Sequence, residues 1–159
     1  MGKTRDLLEG GCSCGKVRYA LTHRPLFVHC CHCTSCQRET GSAFALNALI
    51  ETACVALRSG DVARRDIPSL SGDGQSLMAC SDCGGVLWSH YASAKEKIAF
   101  VRVGTLDDPS AAPPDIHIFT ESKRHWVEIP DGAVAMPAYY RRAEHWPDES
   151  IVRYQAALL

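Results

Sequence analysis

The hydrophobic positions of the chain fall in short segments that predict β-strands rather than long helices. Most of these segments are rich in valine, isoleucine, phenylalanine, tyrosine or tryptophan, and several alternate apolar with polar residues, as half-buried strands do. The predicted strands are KVRYAL, AFALNALI, CVALRSG, GVLWSHY, KIAFVRVG, IHIFT and HWVEI. Glycine and proline recur between them, which argues against long helices. The predicted fold class is therefore mainly β, with little helix.

Two segments have the character of helices. SCQRETG predicts a short helical turn, and DESIVRYQAALL predicts a helix near the C-terminus. Asp148 stands where it can cap the second helix, and Ile151, Tyr154 and Leu158 recur at the spacing of one helical face.

The length and charge of the chain bound its organisation and its partners. At 159 residues it is long enough for one domain with its own hydrophobic core, and no boundary is visible, so we predict a single domain over residues 1–159. Seventeen lysines and arginines against 18 aspartates and glutamates give a net charge of -1. That balance provides no general field for nucleic acid or an anionic membrane, so neither is an expected partner.

The N-terminus and the cysteine content predict a cytoplasmic protein that binds metal. The segment MGKTRDLLEGG lacks the apolar core of a secretory signal, and no window approaches the roughly 18 apolar residues of a membrane span. Nine cysteines in such a protein are more often metal ligands or reactive groups than disulfides, because the cytosol keeps thiols reduced. The odd number agrees, since complete pairing would leave one cysteine over.

Two of the cysteine groups have the spacing of a structural zinc site. In CSDCGG a turn brings both sulfurs to one point, and glycine permits the positive φ at which backbone N–H groups approach the sulfur. In CSCG the two cysteines point the same way along an extended chain. We assign Cys12, Cys14, Cys80 and Cys83 to one four-thiolate site. The alternative, a redox dithiol in CSDC, lacks the surrounding βαβ pattern.

The third group, HCCHCTSCQ, predicts a second metal site with an open position. If HCCHC is extended, Cys31 and Cys33 lie on one face while Cys30 and His32 face the other, and Cys36 can turn back to the same metal. Three protein ligands and a vacancy are typical of a catalytic zinc. The alternative is a closed structural site, in which His29, Cys30 or His32 supplies the fourth ligand.

The ligand type indicates which chemistry an open site would support. Zinc bound to three thiolates carries a formal charge of about -1 by counting the ions, so it is a weaker Lewis acid than zinc on three histidines and less suited to making hydroxide. It is better suited to holding an incoming thiol as the nucleophilic thiolate. Soft thiolate ligands make zinc or iron the candidate metals. We therefore predict chemistry of thiol adducts.

Several other side chains are candidates for a role at this site. His117, which alternates with isoleucines, could reach the open position as an acid or base, although a histidine on a strand is more often structural. Arg18 and Arg38 could bind the carboxylates of a glutathione-like ligand. Trp88 and Trp126 are interpreted as aromatic residues of the core or its rim.

The motifs taken together resemble the glutathione-dependent formaldehyde-activating (GFA) family, whose domain is shared with centromere protein V. The matching segments are GGCSCGKVRY, CHCTSC followed by GSAFAL, CSDCGGVLW, VGTLDDP and HIF with a later tryptophan. They define a recognisable core over residues 7–136 and leave residues 137–159 as a C-terminal extension. The sequence departs from the usual pattern at Cys30, which directly precedes the first central ligand.

The resemblance implies a β-tent fold of small antiparallel sheets organised around two zinc sites. It implies a structural zinc on the first and last cysteine pairs and an open, catalytic zinc on Cys31, Cys33 and Cys36. The namesake reaction condenses glutathione with formaldehyde to S-(hydroxymethyl)glutathione, formally a carbon–sulfur lyase running in reverse. The implied partners are therefore a small thiol such as glutathione and an aldehyde.

Three hypotheses of function follow from these patterns. The first is a zinc-dependent, carbon–sulfur lyase-like enzyme that acts on adducts of thiols with aldehydes. The second is a non-catalytic zinc-binding, glutathione-carrier or interaction module, in which both zincs are structural and four protein ligands surround each. The third is a redox or metal sensor that uses the adjacent Cys30 and Cys31.

Overall fold

A computed structural model describes residues 8–159, and this part of the chain forms ten strands in two sheets. The strands are β1 (Leu8–Gly11), β2 (Arg18–Leu21), β3 (Phe27–Cys31), β4 (Ala45–Glu51), β5 (Val55–Ser59), β6 (Val62–Ile67), β7 (Gln75–Cys80), β8 (Val86–Tyr91), β9 (Ile98–Arg102) and β10 (Ile116–Ile118). The prediction of a mainly β fold is confirmed. Residues 1–7, which include most of the charged N-terminus and the first residue of the predicted core, lie outside the described residues.

The two sheets differ in size and in the direction of one strand. The smaller sheet has the order β1-β2-β5 and is antiparallel. The larger has the order β10-β3-β4-β9-β8-β7-β6, and its pairs are antiparallel except that β10 runs parallel to β3. Cys31 ends β3 and Cys80 ends β7, with β4, β9 and β8 between those strands. The sheet therefore keeps two of the cysteine groups apart.

The described helices are few. They are α1 (Thr34–Thr40), α2 (Arg142–His145) and α3 (Asp148–Leu158). Both predicted helices are thus confirmed, but the predicted cap is wrong, because Pro147 occupies the N-cap position of α3 and Asp148 lies in the first turn. There the negative charge of Asp148 still interacts favourably with the helix dipole. None of the helices in this part of the chain has the length and apolar character that crossing a membrane requires.

Six of the seven predicted strands are confirmed, and the seventh is wrong. Residues 125–129, HWVEI, form a turn and irregular chain, and Trp126 is 66% exposed rather than part of the core. Trp88 is buried as expected. Four of the ten described strands, β1, β3, β6 and β7, are absent from the prediction. The VARRDI side chains of β6 are mostly exposed on a strand at the edge of the larger sheet. Such a strand carries no hydrophobic face, so its sequence has no alternating pattern.

The larger sheet is covered on both faces near its centre. Ala48 and Ile50 of β4 belong to a core that joins the two sheets, together with Tyr19 and Leu21 of β2. Leu49, which points to the other face of β4, belongs to a second core. That second core also contains Tyr140, Trp146 and, at its margin, the predicted face of α3. The C-terminal segment, residues 137–159, therefore packs on the face of the sheet opposite the smaller sheet.

Hydrogen bonds fix the C-terminal segment to β3. The Tyr140 hydroxyl lies 2.6 Å from Nε2 of His29 and accepts a hydrogen bond from Nε1 of Trp146 at 2.6 Å. Because indole N–H is only a donor, the hydroxyl hydrogen is available to donate to His29. Burial lowers the pKa of His29 to about 3, so its imidazole is the neutral acceptor this contact needs. The Ser150 hydroxyl also donates to the carbonyl of Leu26 at 2.7 Å.

Replacing Tyr140 tests this anchor. In Tyr140→Phe, Nε2 of His29 and Nε1 of Trp146 lose their partner in a buried place, so we expect the free energy of unfolding to fall by about 1–3 kcal/mol in urea titrations. The matched control is Tyr154→Phe, because the structure gives the Tyr154 hydroxyl no hydrogen bond within residues 8–159; its effect should stay within about 0.5 kcal/mol. Equal losses in both variants would contradict the assigned network.

A buried ion pair holds α1 against the sheet. Arg102 at the end of β9 is 8% exposed and pairs with Glu39 of α1. Its other terminal nitrogen donates to Oδ1 of Asn47 on β4 at 2.5 Å. One guanidinium thus connects the helix with two neighbouring strands.

Removing the guanidinium should expose the cost of an unpaired buried charge. We expect Arg102→Met to destabilise the fold by about 3–5 kcal/mol, since Glu39 would stay largely buried without its partner. The control is Arg141→Met, which breaks a contact between Arg141 and Glu144 whose side chains are 87% and 56% exposed, and it should cost less than about 1 kcal/mol. Thermal and urea unfolding of both variants provides the comparison, and similar losses would count against a structural role for the pair.

Candidate functional site

Four cysteines from two distant turns meet at one point of the surface. Cys12 and Cys14 lie between β1 and β2, and Cys80 and Cys83 lie at the turn from β7 to β8. Their four Sγ atoms all lie within 4.8 Å of one another, with Cys12 and Cys14 3.4 Å apart and Cys14 and Cys80 3.8 Å apart. The structure therefore brings together the four residues that the spacing assigned to one metal site.

The backbone of this group supports negatively charged sulfur. The amide of Val17 donates to Sγ of Cys12 at 3.3 Å, and the amides of Gly85 and Cys14 lower the pKa of Cys83. Gly84 takes a φ of +75°, which the tight turn requires and which a residue with a Cβ atom rarely adopts. Cys14 and Cys83 are exposed, so this group lies at the surface of the fold.

Three further cysteines converge in the interior. Cys31 ends β3, Cys33 is the N-cap residue of α1, and Cys36 lies in the first turn of that helix. All three are buried, their Sγ atoms lie within 4.8 Å of one another, and the amide of Cys36 donates to Sγ of Cys33 at 3.2 Å. Hydrogen bonds from the thiols of Cys31 and Cys36 lower the pKa of Cys33. Three soft donors at this separation fit zinc or another thiophilic ion.

The residues considered as a fourth ligand lie elsewhere. Within residues 8–159, no histidine, cysteine or carboxylate joins the group of three cysteines. Cys30 and His32 form a separate group with His117, as the alternation along β3 requires. His29 lines a cavity next to the three cysteines but is hydrogen bonded to Tyr140.

The group of Cys30, His32 and His117 forms a buried polar cluster. Nε2 of His32 lies 3.4 Å from Sγ of Cys30 and 3.0 Å from Nδ1 of His117, and the two imidazole rings stack with centroids 5.3 Å apart. Burial lowers the pKa of His32 to about 4 and also lowers that of His117. His117 was considered as an acid or base at the open metal position, but the structure places it against His32.

A cavity of about 450 Å³ has the three buried cysteines in its wall. Much of the remaining wall is aliphatic or aromatic, and Asn47, Arg142, His29 and four serines add polar groups. Oδ1 of Asn47 accepts the hydrogen bond from Arg102, which leaves the amide N–H groups of Asn47 as donors. The arrangement places sulfur ligands, a hydrogen-bond donor and an apolar chamber next to one another.

The arginine at this cavity differs from the two that the sequence suggested. Arg18 makes a two-pronged ion pair with Asp107, at 2.9 Å and 2.5 Å, and neither Arg18 nor Arg38 lines the cavity. Arg142 lines it instead, together with Tyr139 and Tyr154 from the same C-terminal segment. Arginine and tyrosine adjoin in the sequence YYRRAEHW, but no motif spacing connects that stretch with the central cysteines.

Two known proteins and one family model are similar to this chain. A protein of Halomonas elongata, provisionally named a glutathione-dependent formaldehyde-activating enzyme, is 27% identical over 158 residues, which cover 96% of this chain and 96% of that protein. A crystal structure of a Rhodobacter sphaeroides protein is 16% identical and covers 80% of this chain and 98% of its own, with a TM-score of 0.45. The family model of the glutathione-dependent formaldehyde-activating enzyme matches residues 7–122. The chain therefore belongs to the glutathione-dependent formaldehyde-activating enzyme family.

Proposed function

We propose that this chain is a zinc-dependent enzyme that joins a small thiol to an aldehyde, or splits the adduct in the reverse direction. The observation that carries the proposal is the convergence of Cys31, Cys33 and Cys36 in the wall of a cavity, without a fourth protein ligand among residues 8–159. Family membership and the name of the Halomonas elongata relative favour glutathione and formaldehyde as the first substrates to test. We place this chemistry in the cytoplasm, where thiols stay reduced.

We propose that the two cysteine groups have different roles, one structural and one in binding the substrate. The four-cysteine group at the surface offers a closed ligand shell and joins the β1–β2 turn to the β7–β8 turn, which suits a structural zinc. The three-cysteine group offers a shell with one position left for a substrate. A zinc ion bound there would keep an incoming thiol deprotonated near neutral pH.

The residues of the chain contribute position, shielding and a hydrogen-bond donor. The three cysteines are at most 7% exposed, so little water competes for the site. In the proposed reaction the thiolate sulfur would attack the carbonyl carbon of the aldehyde and the C=O π electrons would move to oxygen. That oxygen would take up a proton from solvent, which replaces the proton that the thiol lost, to give the hemithioacetal. The amide N–H of Asn47 is the proposed donor to the oxygen as its charge develops. In the reverse direction the hydroxyl loses a proton and the C–S bond breaks.

Metal content is the first test of this division. We expect two zinc ions per chain in protein purified without oxygen, and one after either Cys33→Ser or Cys83→Ser. Cys54→Ser is the matched control, because Cys54 belongs to none of the three ligand groups, and it should keep both ions. X-ray absorption at the zinc edge should show an additional sulfur neighbour when glutathione is added. Two closed shells that ignore glutathione would instead favour the non-catalytic binding module.

Turnover tests whether the three-cysteine group reacts. Exchange between formaldehyde, glutathione and S-(hydroxymethyl)glutathione can be followed by ¹³C NMR at equilibrium. We expect wild-type protein and Cys54→Ser to accelerate the exchange, and Cys33→Ser to lose the acceleration while its far-ultraviolet circular dichroism is unchanged. Undiminished acceleration by folded Cys33→Ser would refute the proposed role of this group.

Asn47→Asp separates the proposed donor from the structural contact with Arg102. The substituted carboxylate can still accept the hydrogen bond from Arg102, but it has no N–H to offer the substrate oxygen. We expect kcat to fall roughly 10²-fold, as for loss of one oxyanion donor, with thiol binding retained. An unchanged kcat would remove Asn47 from the mechanism.

A further inference from the structure

The cavity beside the three cysteines contains one permanently charged side chain, Arg142. No aspartate or glutamate lines it. The guanidinium carbon of Arg142 lies 4.3 Å from the centroid of the Tyr154 ring and 5.7 Å from that of Trp146. Aromatic stacking therefore holds the guanidinium in place at the cavity wall.

This guanidinium has no counter-ion in the described protein. No carboxylate of residues 8–159 lies within 4.0 Å of Arg142, and its Nε is buried without a hydrogen-bond partner. Both neighbouring pairs that could compete are made by other arginines, Arg141 with Glu144 and Arg153 with Glu51. The guanidinium of Arg142 donates a hydrogen bond to the Tyr139 hydroxyl, but that neutral group does not balance its charge. A partly buried charge without a counter-ion is unfavourable, and an anion in the cavity would offset that cost.

The rest of the cavity indicates the shape of the molecule that carries the anion. Aliphatic and aromatic side chains from five parts of the chain form much of its wall: Leu49, Tyr91, Phe100, Ile118, Phe119 and Tyr139. Four serines add neutral hydroxyl groups to it. Its volume of about 450 Å³ is within the range of small-molecule sites and far exceeds what formaldehyde and a thiol group fill. Such a wall favours an apolar or aromatic body.

Glutathione matches this cavity poorly. It carries two carboxylates and an ammonium group, whereas the cavity supplies one guanidinium and no acidic side chain. Burying the ammonium group of glutathione there would leave it without an anionic partner. A thiol with a single carboxylate on an apolar body has no ammonium group, so none of its charges would be left without a partner.

We propose that the preferred thiol is a monocarboxylate with a bulky apolar or aromatic body, whose carboxylate pairs with Arg142 while its sulfur reaches Cys31, Cys33 and Cys36. The inference rests on the proposed thiol chemistry and names its substrate class. Arg142 would be a specificity-determining residue, and it lies beyond residue 122, where the family match ends. A planar guanidinium can hold the carboxylate through two parallel hydrogen bonds.

The test compares three thiols on the zinc-loaded full chain by isothermal titration calorimetry. The probes are 3-phenyl-2-sulfanylpropanoate, 2-phenylethanethiol, which lacks the carboxylate, and glutathione. We expect the aromatic carboxylate to bind at least about tenfold more tightly than either of the others, as a charge-assisted pair would give. Arg142→Met should weaken binding of the aromatic carboxylate about tenfold or more and leave that of 2-phenylethanethiol nearly unchanged.

The outcomes separate this inference from the proposed function. Tightest binding by glutathione would overturn the inference and leave the thiol chemistry standing. Equal weakening of both phenyl thiols by Arg142→Met would also overturn it, because Arg142 would then act only through the shape of the wall. If none of the three thiols binds the zinc-loaded protein, both proposals fail. Should Arg142→Met not fold, Arg142→Lys, which keeps the charge but loses the two-pronged geometry, must still weaken the aromatic carboxylate selectively.

Discussion

The two-residue alternation of β3 is the constraint on which the site depends. This strand is buried along its whole length and pairs with β4 on one side and β10 on the other, so it has no freedom to twist a side chain across the sheet. Cys31 must then face the second core while Cys30 faces His32 and His117. Backbone geometry therefore divides the cysteines of one continuous segment between two separate groups of side chains.

Other elements of the fold hold the three buried cysteines together and cover them. Helix α1 begins after a connection of two residues from β3, which returns Cys36 to the side of Cys31. The buried pair of Arg102 with Glu39 fixes that helix on the sheet. The C-terminal segment covers the same face through its contacts with His29 and forms part of the cavity wall. The clustered cysteines come from the strand, the helix and the turn between them, whereas part of the cavity wall comes from a segment about a hundred residues later in the chain.

The sequence predicted what depends on local spacing. Cysteines at CxC and CxxC separations, strand alternation and the face of α3 are properties of neighbouring residues, and the structure agrees with each. Edge strand β6 was not predicted, because its exposed side chains have no alternating pattern of apolar residues. HWVEI was wrongly predicted as a strand, because its apolar residues are not buried in the fold. The position of Arg142 at the cavity could not be predicted, because it results from packing between distant parts of the chain. No spacing of neighbouring residues connects Arg142 with Cys31.

The division between a cysteine-bearing core and a separately contributed cavity wall has an evolutionary consequence. Residues 137–159 supply Tyr139, Arg142 and Tyr154 to the chamber but none of the clustered cysteines. Mutations in this segment can therefore change the shape and charge of the cavity wall without moving any of the clustered cysteines. Relatives that share the cysteine pattern can therefore differ in the small molecules that fit their cavities. We expect such differences to appear in the sequence of the C-terminal segment.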